Sequence, residues 1–119
     1  MAINWDGEKF LEKTITSVIN QSCKDFEYIV IDGGSTDKSL EIIKKYEKKI
    51  DYWVSEKDKG IYDAFNKGMI VSKGKFIGFI NSDDIYKKKA LSIISNYIRK
   101  KKVVDFIFGS VKKHWGILY

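Results

Sequence analysis

Proline is missing from the 119 residues, and cysteine and histidine occur once each. Cys23 alone excludes an internal disulfide and fits a reducing compartment. With His114 the sole imidazole and Cys23 the sole thiol, a zinc site is not expected. No run approaches the ~20 apolar residues that cross a bilayer. Met1-Ala2-Ile3-Asn4-Trp5-Asp6 lacks the charged and apolar regions of a signal peptide, so a cytoplasmic location is expected. Neither Gly-x-Gly-x-x-Gly nor Gly-x-x-x-x-Gly-Lys-Ser/Thr occurs, which excludes the dinucleotide fingerprint and the P-loop. The lack of proline has no functional account.

What is present suits one domain spanning residues 1–119, with 44% hydrophobic residues to form its core. Lys and Arg number 22 against 16 Asp and Glu, a net charge of +6. Much of the excess lies in Lys87-Lys88-Lys89 and Arg99-Lys100-Lys101-Lys102, which bracket one predicted helix. Such runs are a solvated surface, or they draw the chain weakly to an anionic membrane face or a phosphorylated substrate. Nucleic-acid binding is not expected, because no known motif or interleaving of basic and exposed aromatic residues accompanies them.

Hydrophobic periodicity orders the chain. Leu11, Ile15, Val18 and Ile19 mark one face of a helix over Glu8–Gln21, with Asp6-Gly7 at its start. Phe26–Ile31 reads as a strand. Ser35 or Thr36 is placed to cap a helix from Asp37 to about Lys48. Ile50–Val54 reads as a short strand, and Ile61, Ala64, Phe65, Gly68 and Met69 mark a helix that Lys73-Gly74 ends in a left-handed turn. Phe76–Ile80 is predicted as a strand buried on both faces in mid-sheet. Leu91, Ile94 and Ile98 mark another helix, and Val103–Phe108 is the last strand candidate. The alternation predicts an α/β fold of three layers, α/β/α, around a mostly parallel sheet.

Acidic residues stand where these strands end. Asp32 follows one strand and leads into Gly33-Gly34-Ser35-Thr36-Asp37; Asn81-Ser82-Asp83-Asp84 follows another. In a parallel sheet both ends lie at the edge where ligands bind. The two glycines allow a tight turn or close backbone approach to a ligand. Asp32 is suited to accept hydrogen bonds from a base or ribose. Asp83 and Asp84 repel each other and gain from a hard divalent cation, which phosphate oxygens would share. Taken alone, Asn81–Asp84 is equally well a turn and helix cap.

Three ordered motifs carry a resemblance. Phe26-Glu27-Tyr28-Ile29-Val30-Ile31-Asp32-Gly33-Gly34-Ser35-Thr36-Asp37, the segment from Ser55 to Gly68 (Ser55-Glu56-Lys57-Asp58-Lys59-Gly60 leading into Ile61-Tyr62-Asp63-Ala64-Phe65-Asn66), and Phe79-Ile80-Asn81-Ser82-Asp83-Asp84 resemble those of family 2 glycosyltransferases with the GT-A fold, over about residues 8–110. The resemblance implies metal-dependent, inverting transfer of a sugar from a nucleotide-diphospho-sugar, often UDP-linked, in bacterial polysaccharide synthesis at the cytoplasmic membrane face. It implies that Asp32 contacts the nucleoside. It implies that Lys59, Gly60, Asp63 and Asn66 border the nucleotide. Asn81 stands at the first position of the family's Asp-x-Asp motif and offers a ribose hydrogen bond without charge. Asp83 would bind the Mn²⁺ or Mg²⁺, with Asp84 beside it.

Departures from the pattern set further expectations. The family begins with an apolar strand whose end helps hold the base; Met1–Asp6 is too short to replace it. The chain is therefore expected to be a partial domain in which the strand from Phe26 lacks a neighbour and self-associates through an open edge. The family's catalytic carboxylate and acceptor site lie well beyond the metal motif. Asp105, at a strand start, and His114, in the tail, are the leftover candidates for the base that takes the acceptor proton, and neither is assigned. An inactive fragment serving as a folded remnant or interaction module is the alternative reading.

Overall fold

The structure, a computed structural model, describes residues 1–112. Its elements are β1 (Ala2–Asn4), α1 (Leu11–Ile19), β2 (Ile29–Asp32), α2 (Ser39–Lys45), β3 (Tyr52–Ser55), α3 (Ile61–Val71), β4 (Ile80–Asn81) and α4 (Ala90–Lys100), with a single 3-10 turn (Glu47–Lys49) before β3. The strands form one sheet in the order β3-β2-β1-β4, and every pair is parallel.

Side-chain alternation sorts the sheet into two cores. On one face Ala2, Val30 and Ile80 pack against Leu11, Ile15 and Val18 of α1 and Ile43 of α2, with Tyr28 and Ile50. On the other, Ile3, Ile29 and Ile31 pack against Ala64 of α3, with Phe65 and Val71 alongside. Successive strand residues point to opposite faces, so a short β-branched run such as Ile29-Val30-Ile31 serves both layers. The three-layer α/β/α arrangement is as expected.

Several details differ. The segment Met1–Asp6 does supply a first strand, and β1 is central, with β2 on one side and β4 on the other. Three residues suffice because each is buried and each finds ladder partners on neighbouring strands. The strand from Phe26 therefore has neighbours on both sides, β1 and β3, and the expected open edge and self-association through it do not follow. The Phe76 segment is not a two-face-buried central strand. Only Ile80–Asn81 joins the ladder, at the sheet edge, and Phe76, Ile77 and Phe79 are exposed. Residues 103–108 form no strand, since no β neighbour faces them, so Asp105 does not stand at a strand start. His114 lies outside the described residues.

Helix ends also depart from expectation. Neither Ser35 nor Thr36 caps α2; the Asp37 carboxylate takes the Ser39 N–H at 2.9 Å. α3 ends at Val71 rather than at Gly74, which is not left-handed; the Ser72 hydroxyl donates to the Gly68 carbonyl at 2.6 Å.

Burial ranks the elements by their contribution. Leu11 is fully enclosed, whereas Ile93 on α4 is 66% exposed. Leu11→Ala is expected to cost roughly 2–5 kcal/mol. Ile93→Ala is expected to stay within about 0.5 kcal/mol. Urea denaturation of the two variants measures both.

Candidate functional site at the carboxyl ends of the strands

All four strands run the same way, so their carboxyl ends share one edge. The register sets Asn4 beside Asp32 and Asp32 beside Ser55, with Asn81 beside Ile3. The chain leaves β1 towards β2 and β3, then returns to place β4 on the other side of β1. Between β1 and β4 the strand order reverses, and a crevice opens outside such a switch point. A cavity of about 260 Å³ lies there, lined by Ile3, Asn4 and Trp5 from the end of β1, Asn81 and Ser82 from the end of β4, and Asp58, Gly60 and Ile61 from the loop into α3.

Asp32 ties the floor together. It is fully buried. Its Oδ1 accepts from Asn4 Nδ2 at 2.6 Å and from Ser35 Oγ at 2.5 Å. Its Oδ2 accepts from the Ser35 N–H at 2.9 Å and from Ser55 Oγ at 2.6 Å. A buried carboxylate is costly unless donors surround it, and here four do. Asp32 thus spends both oxygens on the ends of β1 and β3 and on its own loop, and it does not line the cavity.

Asn4 presents the opposite condition. Its amide NH₂ is committed to Asp32 and, at 3.2 Å, to Ser35 Oγ. Its Oδ1 is buried and has no partner, in a side chain 1% exposed on the cavity wall. Gly7 keeps this oxygen clear: a Cβ there would lie 2.2 Å from Asn4 Oδ1 and 2.7 Å from Ser82 Oγ. Trp5 stands 70% exposed at the same wall, a flat apolar surface.

The two glycines after Asp32 serve a neighbouring loop. A Cβ on Gly33 would meet Asp58 Oδ2 at 2.6 Å, and Gly34 has φ +81° with the Lys57 backbone N at 3.0 Å from its Cβ position. Residues 56–58 can therefore lie directly on the Asp32 turn, which sets Asp58 at the cavity wall. Asp58 Oδ1 accepts the Gly60 N–H at 2.9 Å.

Of the residues singled out in the sequence, Gly60 and Asn81 line the cavity; Lys59, Asp63, Asn66 and Asp83 do not. Asp63 works locally. It accepts the Lys59 N–H at 3.0 Å, and that bond, with the Lys67 ammonium 3.5 Å away, holds its carboxyl below the usual range. Lys67 is shared with Glu56 at 3.0 Å. Asn66 is exposed on α3, and Lys59 is exposed in the loop before it. Asp83 and Asp84 follow Ser82 in an exposed turn closed by the Asp84 N–H to Asn81 carbonyl bond at 3.0 Å. Among the described residues no three His, Cys, Asp or Glu side chains converge as a metal cage. Two exposed carboxylates suit an ion that takes its other oxygens from a ligand and water.

Sequence reasoning missed Asn4, Trp5, Asp58 and Ser82. The first two belong to a strand too short to show periodicity. Asp58 and Ser82 lie inside the motifs that carry the resemblance, but only the register and the Gly33–Asp58 approach reveal which members face inward.

The family model for Glycosyl transferase family 2 matches residues 3–117. A PGL/p-HBAD biosynthesis glycosyltransferase of Mycobacterium bovis (strain BCG / Pasteur 1173P2) is 30% identical over 105 residues, covering 85% of this chain and 41% of that relative. The poly(ribitol-phosphate) beta-N-acetylglucosaminyltransferase TarP of Staphylococcus aureus (strain N315) is 38% identical over 109 residues, covering 87% of this chain and 33% of TarP. The crystal structure of S. aureus TarS 1-349 in complex with UDP superposes with a TM-score of 0.75 at 26% identity, covering 84% of this chain and 31% of that one. The chain thus spans well under half the length of these relatives.

The hydrogen-bond pattern predicts opposite roles for two acids. Asp32→Ala removes the acceptor of Asn4 Nδ2, the Ser35 N–H and hydroxyl, and Ser55 Oγ, and is expected to cost about 2–4 kcal/mol. Asp83→Ala removes an exposed side chain and is expected to cost less than about 0.5 kcal/mol. Chemical denaturation of each variant gives the comparison.

Proposed function

This chain belongs to Glycosyl transferase family 2, and from that premise we propose that its switch-point cavity binds the nucleotide end of a nucleotide-diphospho-sugar. One observation carries the reading. Asn4 lines the cavity, and its buried Oδ1 has no partner among the described residues, a need that a ligand donor entering beside it would fill. A ribose hydroxyl or a base N–H has the required chemistry. Trp5 offers a face for a planar base to rest on. UDP is the nucleotide to test first, since a TarS structure with a TM-score of 0.75 to this chain holds it.

The diphosphate then runs from the cavity past Ser82 to Asp83 and Asp84. Those carboxylates would hold a Mn²⁺ or Mg²⁺ together with phosphate oxygens, and the ion would neutralise charge on the leaving diphosphate. The residues of this chain bind and orient. Asn4, Asn81 and Ser82 supply neutral polar contacts, and Asp32 holds the end of β1, which carries Asn4, against the end of β3. In the inverting reaction, an acceptor hydroxyl oxygen bonds to the anomeric carbon as the bond to the diphosphate breaks, and its proton passes to a base. Asp58 lines the cavity, but its carboxylate is engaged by the Gly60 N–H; Asp105 is exposed in a segment without regular structure. We assign the base to neither. The acceptor, and work at the cytoplasmic membrane face in polysaccharide synthesis, belong to the same proposal. The Lys87–Lys89 and Arg99–Lys102 runs supply positive charge for that face.

Calorimetry with UDP, with and without Mn²⁺, tests the reading on the 119-residue chain. Binding is expected to tighten at least tenfold with Mn²⁺, about 1.4 kcal/mol. Asp83→Ala should abolish that increment and leave the metal-free affinity in place. Sugar transfer by the chain alone should be undetectable. A folded sample giving no heat in either condition would overturn the reading in favour of a folded remnant.

A further inference from the structure

α1 carries polar residues where an amphipathic helix should be apolar. Thr14 and Ser17 of α1, and Gln21 just past its end, recur at i, i+3 and i+7 beside Leu11, Ile15 and Val18, and both Thr14 and Gln21 are fully buried. Burying a hydroxyl or an amide without partners is unfavourable. Here each finds its partner in the backbone that follows β4.

The Thr14 hydroxyl has one proton and lies 2.7 Å from the Asp84 carbonyl, 2.9 Å from the Ser82 carbonyl and 3.5 Å from the Phe10 carbonyl at the start of its own helix, so the two nearer acceptors hold it towards the turn. Ser17 Oγ accepts the Tyr86 N–H at 3.1 Å. Gln21 Nε2 donates to the Lys87 carbonyl at 2.8 Å, and Gln21 Oε1 accepts the Leu91 N–H at 3.0 Å. The sheet cannot supply these bonds, because the β4 ladder stops at Asn81. Beyond that point α1 takes over as the template for the chain.

We infer that Thr14 is a positioning residue for the metal–diphosphate end of the site. Its two acceptors flank Asp83, one on the peptide before it and one two peptides later. With the Asp84 N–H to Asn81 carbonyl bond, they tie the turn on both sides of Asp83. The direction of the Asp83 and Asp84 carboxylates relative to the cavity is then set by a helix on the far side of the turn, with no Thr14 contact to ligand. This inference rests on the nucleotide-binding reading for its ligand consequence, but its structural half is independent of it.

Thr14→Val keeps the shape and removes the hydroxyl; Thr14→Ser restores it. In Thr14→Val the amides of Asp83 to Tyr86 should exchange with solvent at least tenfold faster, with those of β2 unchanged. The Mn²⁺-dependent tightening of UDP should fall at least fivefold, while metal-free UDP affinity stays within twofold. Thr14→Ser should return both readouts towards wild type. Unchanged exchange in the turn, or a full metal increment in Thr14→Val, overturns the inference. Should Thr14→Val not fold, Ser17→Ala takes its place: faster exchange at Tyr86 and a reduced increment support the template, and unchanged values overturn it. Should wild type show no metal increment, the function proposed above fails, and the exchange comparison alone decides for or against Thr14.

Discussion

The buried carboxylate of Asp32 is the constraint on which the site depends. A negative charge without water is tolerable only where donors replace its hydration. The four donors here come from the end of β1, the end of β3 and the loop after β2. Each of those segments is thereby held against a common point. Charge-assisted bonds of this kind are short and strong, and they add to the ladder at the strand ends. The ladder itself is brief, with β1 three residues long and β2 and β3 four each. Once Asn4 has turned its amide NH₂ towards Asp32, its carbonyl oxygen can only face away. The empty acceptor on the cavity wall is thus a consequence of the filled carboxylate beneath it.

The same economy runs through the rest of the edge. Gly33 and Gly34 have no side chains to hold off residues 56–58, so Asp58 reaches the cavity from a loop that belongs to a different strand. Gly7 leaves room between Asn4 and Ser82. On the β4 side, where the ladder is shortest, polar groups of α1 and of Gln21 beyond it substitute for missing strand partners. Three kinds of residue therefore act together: an acid that gathers, glycines that make room, and a polar helix stripe that carries the backbone beyond the sheet.

Much of this was legible in the sequence. The apolar spacing of Leu11, Ile15 and Val18 identifies α1, Ile29-Val30-Ile31 identifies β2, and the order of helices and strands implies a parallel sheet whose strand ends bring Asp32 and Asn81 to one edge. The failures have physical causes. β1 is only three residues long, and a window of that length carries no periodicity; its existence follows from neighbours on both sides. Phe76-Ile77-Gly78-Phe79 has the composition of a central strand, but composition does not say which strands will flank it, and among the described residues none pairs with it on the outer side. The role of Asp32 was legible as a strand-end acid but not as an internal hub, because its donors lie 28 and 23 residues away as well as in its own loop. Thr14 and Gln21 carry no signal in the apolar spacing, because each has a partner 70 residues further along the chain.

The central claim is that a nucleotide occupies the crevice between β1 and β4 rather than another part of the surface. Amide chemical shifts recorded while UDP and Mg²⁺ are added to the labelled 119-residue chain test it directly. The account predicts that the largest changes fall on Asn4, Trp5, Gly60, Ile61 and Asn81 to Asp84, together with the Trp5 indole N–H. Changes concentrated instead at the groove formed by Lys75, Phe76, Ile98 and Lys101–Val104 would contradict it.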